Sequence, residues 1–517
     1  MISGFIYIFK MAIIPSIVNW LNVKRLYQID LFKKYPVEVQ EEELMGLISF
    51  AVDTSWGRKY DFASIKNYSD FKNRIPIQTY DDVKPYISRL RAAEKDLLWP
   101  GEIKWFAKSS GTTSDKSKFI PVSNESLENC HFRGPKDVMA IYTSNNPETG
   151  IFSGKGFTLG GSHKINNYSN RSFYGDLSAI LIENLPFWAD FLRTPNAKIA
   201  LLDKWDEKLD EIIRATRNEN VTSIAGVPSW NLVLIKHLLE TTGKDSLLEI
   251  WPNLEVFIHG GVKFEPYRKQ FEKLIPSPTM NYMETYNASE GFFGIQDEAD
   301  KDDMLLMMDY GVFYEFIPTN QLHQETPPVY TVSNVSKGIN YAIVITTNSG
   351  LWRYLIGDTI EFTHLFPHKI KITGRTKHFM NAFGEEIIID NAEKALSIAC
   401  SKTGALIHEY TAAPVYMGTH KKGSHEWVIE FDKEPENLDY FTNVLDHALM
   451  SVNSDYEAKR YKSITVVKPI VRKVKKGTFY NWFNAKGKLG GQNKIPRLSN
   501  DRRYVKEVIE IDKKKFN

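Results

Sequence analysis

Residues 203–243 read DKWDEKLDEIIRATRNENVTSIAGVPSWNLVLIKHLLETTG and alternate between helical and strand patterns. Segment 203–220 repeats its apolar residues at helical spacing, which predicts an amphipathic helix. Segment 221–227 is short and rich in β-forming residues, which is typical of a strand. Pro228 stands where a first-turn proline belongs and predicts a second helix over 229–243. A helix, a strand and a helix in succession favour an α/β fold.

The same alternation continues as far as residue 291. LEVFIHGG (254–261) reads as a buried strand that ends in two glycines, and EPYRKQFEKLI (265–275) reads as a helix. TMNYMETYNASEG (279–291) reads as a strand that runs into a polar turn. We therefore predict a sheet with helices packed on it.

From residue 304 the pattern changes to strands separated by turn residues. The strand-like segments are MLLMMDYGVFYEFIP (304–318), PPVYTVSNV (327–335), YAIVITTN (341–348) and HKIKITGR (368–375). After GRTKHFMNAFGEE (374–386), helical and strand patterns mix again. This change predicts an N-terminal domain over residues 1–375, with a β-rich subdomain, and a smaller α+β domain over residues 376–517.

The composition is that of a globular protein, since 42% of the 517 residues are apolar and 25% are charged. A chain of this length predicts two or three domains. The net charge of +2 gives no general case for binding nucleic acid. Cys130 and Cys400 are too few for a disulfide framework and fit a reducing compartment. We expect a cytoplasmic protein that is a monomer or a weak homodimer.

The N-terminal segment MISGFIYIFKMAIIPSIVNW (1–20) is apolar but is divided by Lys10 and Pro15. It contains no run of the roughly 18 apolar residues that a spanning helix needs. It also lacks a small-residue cleavage site after a clean apolar region, which argues against a secretory signal. We therefore expect no membrane association. Met11 is an alternative start of translation.

The stretch KSSGTTSDKSKFIP (108–121) interrupts a chain rich in large apolar residues with small hydroxyl residues and lysines. Small residues let backbone N–H and side-chain O–H groups converge on phosphate oxygens, and a lysine adds positive charge. The stretch is not a Walker A loop because GxxxxGK[ST] is absent, and the lookalike at 150–155 has the wrong spacing. We predict a phosphate-binding loop, with an ordinary connection as the alternative.

Two carboxylates follow strands elsewhere in the chain. Glu290 lies on the polar turn of YNASEG (286–291), and Mg²⁺ takes one or two carboxylates plus phosphate oxygens. Asp358 follows a glycine in WRYLIGD (352–358), where a carboxylate can accept hydrogen bonds from ribose hydroxyls. Each motif alone fits a capped turn. Together with the hydroxyl-rich loop they indicate a nucleotide site.

These motifs, in this order, resemble those of the Gretchen Hagen 3 family of acyl acid amido synthetases. The matching segments are SSGTTSDKSKFIP, YNASEG, WRYLIGD, GRTKHFMN and GGQNKIPR, which span positions 109 to 497. That family belongs to the adenylate-forming superfamily, together with acyl-CoA synthetases and luciferases. The resemblance implies the adenylate-forming fold, with a large N-terminal domain and a smaller mobile C-terminal domain.

The resemblance also implies a role for each matching residue. The ATP phosphates would be held by Ser109, Ser110, Gly111, Thr112, Thr113 and Lys118. The adenine and α-phosphate would be lined by Tyr286, Ala288 and Ser289, and the ribose would be held by Asp358. Arg375 would bind ATP and mark the hinge end of the large domain, Glu290 would hold Mg²⁺, and Lys494 would be the mobile catalytic lysine. One departure is Ser114-Asp115, where the superfamily usually has glycine.

No motif identifies the acyl-acid pocket, which should combine apolar walls with one or two polar anchors. Trp230 in GVPSW (226–230), at a strand-to-helix turn, is a candidate wall, with a core residue as the alternative. Arg133 in HFRG (131–134) is a candidate partner for a carboxylate, with a surface residue as the alternative. His259 is a candidate lining residue, with a buried, satisfied histidine as the alternative.

The implied activity is ATP-dependent. A carboxylic acid is activated as an acyl-adenylate with release of pyrophosphate, and an amino acid or another amine then takes the acyl group with release of AMP. An acyl-CoA synthetase that uses a thiol acceptor and a non-catalytic nucleotide-binding relative are the alternatives. The basic tail 471–497 contains interleaved aromatics, but in this interpretation its charge serves phosphate and implies no nucleic-acid partner.

Overall fold

A computed structural model describes most of the chain. The described residues are 23–109, 118–160, 166–169, 171–186, 189–202, 205–261, 264–322, 324–376, 379–380, 387–415, 423–453, 456–457, 460, 466–487, 495–499 and 502–514. Within these ranges, none of the helices has the length and apolar character that a membrane crossing requires.

The strands are numbered in chain order. They are β1 (Trp105–Ser109), β2 (Lys118–Val122), β3 (Lys155–Thr158), β4 (Asn166–Ser169), β5 (Ser172–Gly175), β6 (Arg193–Thr194), β7 (Val221–Gly226), β8 (Val256–Gly260), β9 (Asn281–Ala288), β10 (Gly291–Ile295), β11 (Met304–Leu306), β12 (Val312–Pro318), β13 (Asn340–Thr347), β14 (Tyr354–Leu365), β15 (His368–Arg375), β16 (Phe379–Met380), β17 (Ile387–Ile388), β18 (Leu406–Val415), β19 (Ser424–Lys433) and β20 (Ile470–Val474).

The α-helices are numbered in the same way. They are α1 (23–34), α2 (Pro36–Phe50), α3 (Ser55–Lys59), α4 (Tyr68–Arg74), α5 (Tyr80–Arg91), α6 (Asn124–Ser126), α7 (Arg133–Asn145), α8 (Leu177–Glu183), α9 (Ala197–Ala200), α10 (Trp205–Thr216), α11 (Pro228–Thr242), α12 (Glu265–Leu274), α13 (Ile389–Thr403), α14 (Leu438–Val452), α15 (Thr478–Ala485) and α16 (Arg503–Lys513).

The main sheet has eleven strands in the order β12-β13-β14-β15-β11-β10-β9-β8-β7-β3-β6. The strands from β9 to β6 are parallel neighbours, and those from β12 to β9 are antiparallel. Strand β9 is therefore the junction between the two halves. The α/β alternation and the later β-rich segment predicted from the sequence correspond to these two halves.

The residues at the two ends of helix α11 explain why its position could be predicted from the sequence. It begins at Pro228, whose missing N–H is no loss in the first helical turn, and it ends before Gly243. Gly243 has φ +66°, a left-handed conformation that glycine adopts without strain, so it caps the helix. The helix predicted over 229–243 is confirmed.

The strand predicted over 327–335 is wrong. Only a single bridge, between Phe316 and Tyr330, forms in this segment. Two prolines at its start lack the N–H groups that a ladder needs. The Thr331 N–H then donates to the Asn334 side chain at 2.7 Å, which turns the chain instead of extending it.

The N-terminal helices cover the antiparallel half of the sheet. Phe32, Trp56 and Phe71 from these helices share one hydrophobic core with Phe313 and Trp352 from the sheet side. On α2, the buried Gln40 amide donates to the carbonyls of Met308 and Val312, both at 2.8 Å, and accepts from the Tyr314 N–H at 2.9 Å. Helix α2 thus lies against β12, the edge strand of the antiparallel half.

The C-terminal region is a separate α+β unit. Strands β18, β19 and β20 form a three-stranded sheet, and α13 and α14 pack on it through a distinct hydrophobic core. Leu396 of α13, Leu445 of α14 and Trp427 of β19 are central members of that core. The predicted α/β fold with a smaller C-terminal α+β region is confirmed.

Candidate active site

The carboxyl ends of β7, β8 and β9 lie at one edge of the main sheet because these strands are parallel neighbours. Gly260 allows β8 and β9 to approach there, since a Cβ atom at this position would lie 2.4 Å from the Thr285 carbonyl oxygen. Open α/β sheets bind ligands outside the carboxyl ends of their strands, where the topology changes. The turn at Ser289 and Glu290 follows β9, at the junction of the two halves.

Glu290 is a buried carboxylate on this turn, with 8% of the residue exposed. Burial raises its pKa to about 7, and the neighbouring charge of Asp358 adds to that rise. The charges of Lys118 and Arg375 act in the opposite direction. Four groups from three separate parts of the sequence, namely Lys118, Glu290 and the paired Asp358 and Arg375, therefore share one electrostatic environment.

Asp358 is held by two side chains, one from the neighbouring strand β15 and one from β9. It lies opposite Arg375 in the β14–β15 ladder, and the Arg375 guanidinium pairs with its carboxylate at 2.7 Å. The Tyr286 hydroxyl of β9 donates to the other carboxylate oxygen, also at 2.7 Å. The charge of Asp358 raises the pKa of Arg375, and burial raises the pKa of Tyr286. Each oxygen keeps a further lone pair for a ligand donor.

Gly357 shapes the strand immediately before Asp358. Its φ is +94°, a backbone conformation in which an L-residue is strained. The Thr376 N–H donates to the Gly357 carbonyl at 2.8 Å, which joins the two strands beside the Asp358–Arg375 pair. The backbone conformation of Gly357 therefore sets the direction in which the next residue of β14, Asp358, projects its carboxylate.

Lys118 stands at the base of the predicted phosphate loop and acts electrostatically on Glu290. Strands β1 and β2 pair antiparallel up to Ser109 and Lys118, so the chain leaves and re-enters the sheet at one point. The Lys118 charge lowers the pKa of Glu290, so the base of the predicted loop belongs to the electrostatic environment of this carboxylate. The loop residues Ser110, Gly111, Thr112 and Thr113 lie outside the described part of the chain.

Two tyrosines belong to this cluster and were not predicted. The Tyr80 hydroxyl, in the first turn of α5, accepts from the Phe119 N–H at 2.8 Å, and the Lys118 ammonium lies 5.6 Å from its ring centroid. The Tyr354 hydroxyl is fully buried and has no hydrogen-bond partner among the described residues. Burial and the Glu290 charge raise the pKa of Tyr354, so its hydroxyl stays protonated and can donate to a ligand.

Ala288 and Ser289 lie between Tyr286 and Glu290 and are half-buried. Ala288 is the last residue of β9 and pairs with Gly291 of β10, so Ser289 stands on a tight turn between two paired strands. Their backbone is thus fixed at the edge of the cluster. Their predicted contacts with adenine and the α-phosphate stay predictions.

Three models of the GH3 family match the chain: the N-terminal domain over residues 25–280, the central domain over residues 305–375 and the C-terminal domain over residues 390–503. The chain belongs to the GH3 family. Among the curated relatives of this GH3 protein is the indole-3-acetic acid-amido synthetase GH3.3 of Arabidopsis thaliana. The two chains are 22% identical, and the match covers 92% of this chain and 91% of the relative.

Solved structures show the fold to which the chain is similar. The GH3.15 acyl acid amido synthetase superposes with a TM-score of 0.78 at 18% identity, over 94% of this chain and 95% of that one. A 2-hydroxyisobutyryl-CoA ligase, in the postadenylation state with an acyl-AMP, superposes with a TM-score of 0.59 at 14% identity, over 92% and 91% of the two chains. The GH3 protein therefore has the adenylate-forming fold that the sequence predicts.

The candidate acyl-site residues fall at different places in the GH3 protein. Trp230 lies in the first turn of α11, beside the carboxyl end of β7, and its side chain is outside the described part. The Arg133 guanidinium pairs with Asp309 at 2.9 Å and donates to the Asp309 carbonyl at 2.8 Å. A carboxylate of its own chain thus already pairs with Arg133, and a contact between Arg133 and the acyl acid stays a prediction.

His259 lies at the carboxyl end of β8, at the predicted edge of the sheet. Its ring stacks on Phe264 with centroids 4.2 Å apart, and burial lowers its pKa to about 3. The imidazole is therefore neutral near pH 7 and offers hydrogen bonds rather than positive charge. A contact between His259 and the acyl acid stays a prediction.

The structure describes most of the basic tail 471–497 but does not describe Lys494. Lys494 lies outside the described residues, and Ile495 immediately after it is buried. Several basic residues of the tail are paired with carboxylates of the same region. The pairs are Arg472 with Glu426, Lys473 with Glu434, and Lys486 with Glu507, at 2.8, 2.8 and 2.9 Å. The basic tail is thus mostly an internally paired surface in the described residues.

Proposed function

We propose that this GH3 protein is an ATP-dependent, AMP-forming acyl acid amido synthetase. The observation that supports this most strongly is the convergence of Tyr286, Glu290, Asp358 and Arg375 with Lys118, the base of the hydroxyl-rich loop, at the carboxyl edge of β9. Such a cluster provides carboxylates for a metal and a ribose and cations for phosphates. Membership of the GH3 family indicates the class of reaction, acid–amine ligation, that we propose for this site.

The first half-reaction joins the acid to AMP. A carboxylate oxygen of the acid attacks the α-phosphorus of ATP, the bond to the bridging oxygen breaks, and pyrophosphate leaves. Asp358 would accept hydrogen bonds from the ribose hydroxyls, while the loop 110–117 and Lys118 would bind phosphate oxygens. The protonated Tyr354 hydroxyl would be a further donor to a phosphate oxygen. Fixed donors of this kind stabilise charge as it develops on phosphate.

The second half-reaction makes the amide. An amine, which we propose to be an amino acid, attacks the acyl carbon, and AMP leaves with one oxygen that came from the acid. Lys494 would supply positive charge to the α-phosphate and the acyl carboxylate during adenylation. The C-terminal domain would then rotate about the hinge near Arg375, so that the lysine withdraws before the amine attacks. No covalent bond to the protein is required.

Glu290 suits a magnesium ligand by its chemistry. It is a hard oxygen donor that shares its electrostatic environment with Lys118, and Mg²⁺ combines one or two protein carboxylates with substrate phosphate oxygens. When bound, the ion would neutralise phosphate charge. We propose ATP as substrate and Mg²⁺ as cofactor. We also propose a cytoplasmic location, with which the free thiols of Cys130 and Cys400 are compatible.

The pH dependence of magnesium binding follows from the buried position of Glu290. A carboxylate must lose its proton to bind a metal, and the pKa of Glu290 is raised to about 7. The protonated form predominates below this value, so Mg²⁺ affinity should fall about tenfold per pH unit there and level off above it. Calorimetric titration of the ATP-bound protein with Mg²⁺ between about pH 6 and pH 8.5 measures this profile.

The control for this profile is Glu290→Gln, which keeps the size of the side chain and cannot ionise. It should bind Mg²⁺ more weakly and lose the part of the pH dependence that exceeds that of free ATP. A variant with the parent's affinity and profile would remove Glu290 from the metal site.

A thiol acceptor is the second candidate, and the structural similarity to a CoA ligase favours considering it. Both reactions share adenylation and differ only in the group that attacks the acyl carbon. A panel of carboxylic acids, each offered with glycine, aspartate, glutamate or CoA, separates them when AMP release and product mass are recorded. We expect at least one acid to give an amide with concomitant AMP. A thioester with no amide would assign the thiol branch, and no AMP from any pair would contradict the proposed function.

A further inference from the structure

Arg353, the residue immediately before β14, has an unusual backbone conformation. Its φ is +46°, in the left-handed region that residues other than glycine rarely adopt. Such a conformation costs free energy and persists only where surrounding contacts impose it, and these positions are concentrated at functional sites. Arg353 is only 4% exposed, so the contacts that impose its conformation lie within the protein.

The side chain of Arg353 joins two parts of the N-terminal domain. Its Nε and Nη2 groups donate to the carboxylate of Glu315 on β12, at 2.9 and 2.8 Å. Its Nη1 group donates to the carbonyls of Lys72 and Ile75, at the end of α4, at 2.9 and 2.7 Å. The Tyr68 hydroxyl of α4 also donates to Glu315, at 2.9 Å. The guanidinium therefore holds Arg353 between a sheet strand and a helix end.

The backbone of Arg353 fixes the segment that leads into α5. The Gln78 N–H donates to the Arg353 carbonyl, and the Leu355 N–H donates to the Gln78 carbonyl, both at 2.8 Å. These two hydrogen bonds make an isolated parallel bridge between Gln78 and Tyr354. Tyr80 follows Gln78 by two residues and begins α5. The bridge therefore fixes Tyr354 and Tyr80 relative to each other.

The two tyrosines belong to the candidate nucleotide site. The Tyr354 hydroxyl is buried and has no hydrogen-bond partner among the described residues. Burial raises the pKa of Tyr354, and Glu290 and Tyr80 add to that rise, so these groups share its surroundings. The Lys118 ammonium lies 5.6 Å from the centroid of the Tyr80 ring. A protonated phenol in such surroundings, with its proton still to donate, suits an anionic oxygen.

We propose that Arg353 is a positioning residue that holds the Tyr354 hydroxyl as a donor to a phosphate oxygen of ATP. This inference rests on the proposed function, in which the ATP phosphates lie beside Lys118 and Glu290. The Arg353 guanidinium is committed to Glu315 and two carbonyls, so it acts through Tyr354, its neighbour in the chain. Its contacts offset the cost of the left-handed backbone and so keep β14 in the conformation that directs Tyr354.

The first arm of the test compares ATP with adenosine, which lacks the phosphates. Tyr354→Phe removes one donor to a charged oxygen and should weaken binding of ATP about tenfold in calorimetric titration with Mg²⁺ present. Arg353→Lys keeps the charge beside Glu315 but lacks the planar fork, so it should have the same effect. Adenosine affinity should stay at the parent value in both variants. A merely structural role of Arg353 would weaken both ligands in parallel, and that result would overturn the proposal.

A double-mutant cycle tests whether Arg353 acts through Tyr354. If it does, adding Arg353→Lys to Tyr354→Phe should leave ATP affinity within about twofold of that of Tyr354→Phe alone, because the two substitutions remove the same contact. Tenfold losses that multiply in the double variant would contradict the proposal. If Arg353→Lys does not fold, Tyr68→Phe loosens Glu315 without removing a charge, and ATP should again be weakened while adenosine is not.

The matched control is Tyr282→Phe. The Tyr282 hydroxyl is also buried without a hydrogen-bond partner among the described residues, but it belongs to the core between β9 and α12. Its removal should leave the affinities for ATP and adenosine unchanged. A loss of ATP affinity there equal to that of Tyr354→Phe would mean that removing any buried phenol has this effect, and the proposal would fail.

The second arm needs no nucleotide. In hydrogen exchange resolved to single amides by mass spectrometry, Arg353→Lys should raise the exchange rates of the Gln78 and Leu355 amides about tenfold, because the bridge between the two segments loosens. The amides of β8 should keep their parent rates. If the parent binds no ATP, the proposed function fails while this arm still decides whether Arg353 holds the bridge. Unchanged exchange at both amides would overturn the positioning role, whatever the ATP affinity.

Discussion

Lys494→Ala should lower the rate of acid-dependent pyrophosphate exchange about a thousandfold. Removing one preorganised charge-stabilising group from an active site costs on the order of a hundred- to a thousandfold in rate, and an ammonium next to the α-phosphate belongs at the upper end. The measurement is exchange of labelled pyrophosphate into ATP, with the acid identified by the acid-by-amine panel. ATP affinity and the melting temperature should change little, because the lysine acts mainly on the transition state.

Lys486→Ala is the matched control for this experiment. Lys486 lies on the same C-terminal region, is 41% exposed and pairs with Glu507 at 2.9 Å on the surface. Its removal deletes one positive charge without reaching the candidate site, so exchange should proceed at the parent rate. If Lys494→Ala also kept the parent rate, Lys494 would not be the catalytic lysine.

Asp358→Ala should weaken ATP binding about a hundredfold, since it removes the acceptor for the ribose hydroxyls and charged hydrogen bonds contribute about 1.5–3 kcal/mol each. Isothermal titration calorimetry with ATP measures the loss directly. Asp358→Asn keeps the shape and one acceptor oxygen, so its affinity should lie between those of the parent and the alanine variant. An unchanged ATP affinity in Asp358→Ala would contradict the ribose role.

Asp358→Ala also leaves Arg375 and Tyr286 without their partner, so a control for lost stability is needed. The chain offers a close match in Asp446, which accepts from the Tyr456 hydroxyl and from Arg460, both at 2.8 Å. Asp446→Ala should therefore lower the melting temperature to a similar extent while leaving ATP affinity at the parent value. A fall in affinity there would mean that instability, not the ribose contact, explains the Asp358 result.

Much of the fold could be predicted because its signals are local. Pro228 and Gly243 mark the two ends of α11, and β9 with its polar turn could be read directly from residues 279–291. The strand predicted over 327–335 failed because its prolines and the Asn334 side chain compete with a ladder. The prolines and Asn334 were visible in the sequence, but the β-forming residues of the segment 327–335 favoured a strand more strongly.

The candidate site could be predicted only in part. Glu290 and Asp358 stand out because each follows a strand within a recognisable motif. Tyr80 carries no such signal, since a tyrosine at the start of an amphipathic helix reaches Lys118 only through tertiary folding. Tyr354 lies inside a motif but alternates like any strand residue, and its unpaired hydroxyl becomes evident only in three dimensions.

Residue type alone does not identify the partner that Arg133 has within the chain. An arginine shortly after a phosphate loop is chemically suited to a carboxylate, but the carboxylate it binds is Asp309 of its own chain. No local pattern connects these two positions, which are far apart in sequence. The domain division at residues 375 and 376 and the role of Lys494 stay predictions.

The account depends most on the claim that the acid is activated as an acyl-adenylate. The direct measurement uses an acid labelled with ¹⁸O in both carboxylate oxygens and mass spectrometry of the released nucleotide. Because the carboxylate attacks the α-phosphorus and AMP leaves with that oxygen, we predict one ¹⁸O atom in each AMP and one in each amide. AMP without ¹⁸O, or label appearing in phosphate or pyrophosphate, would contradict the account.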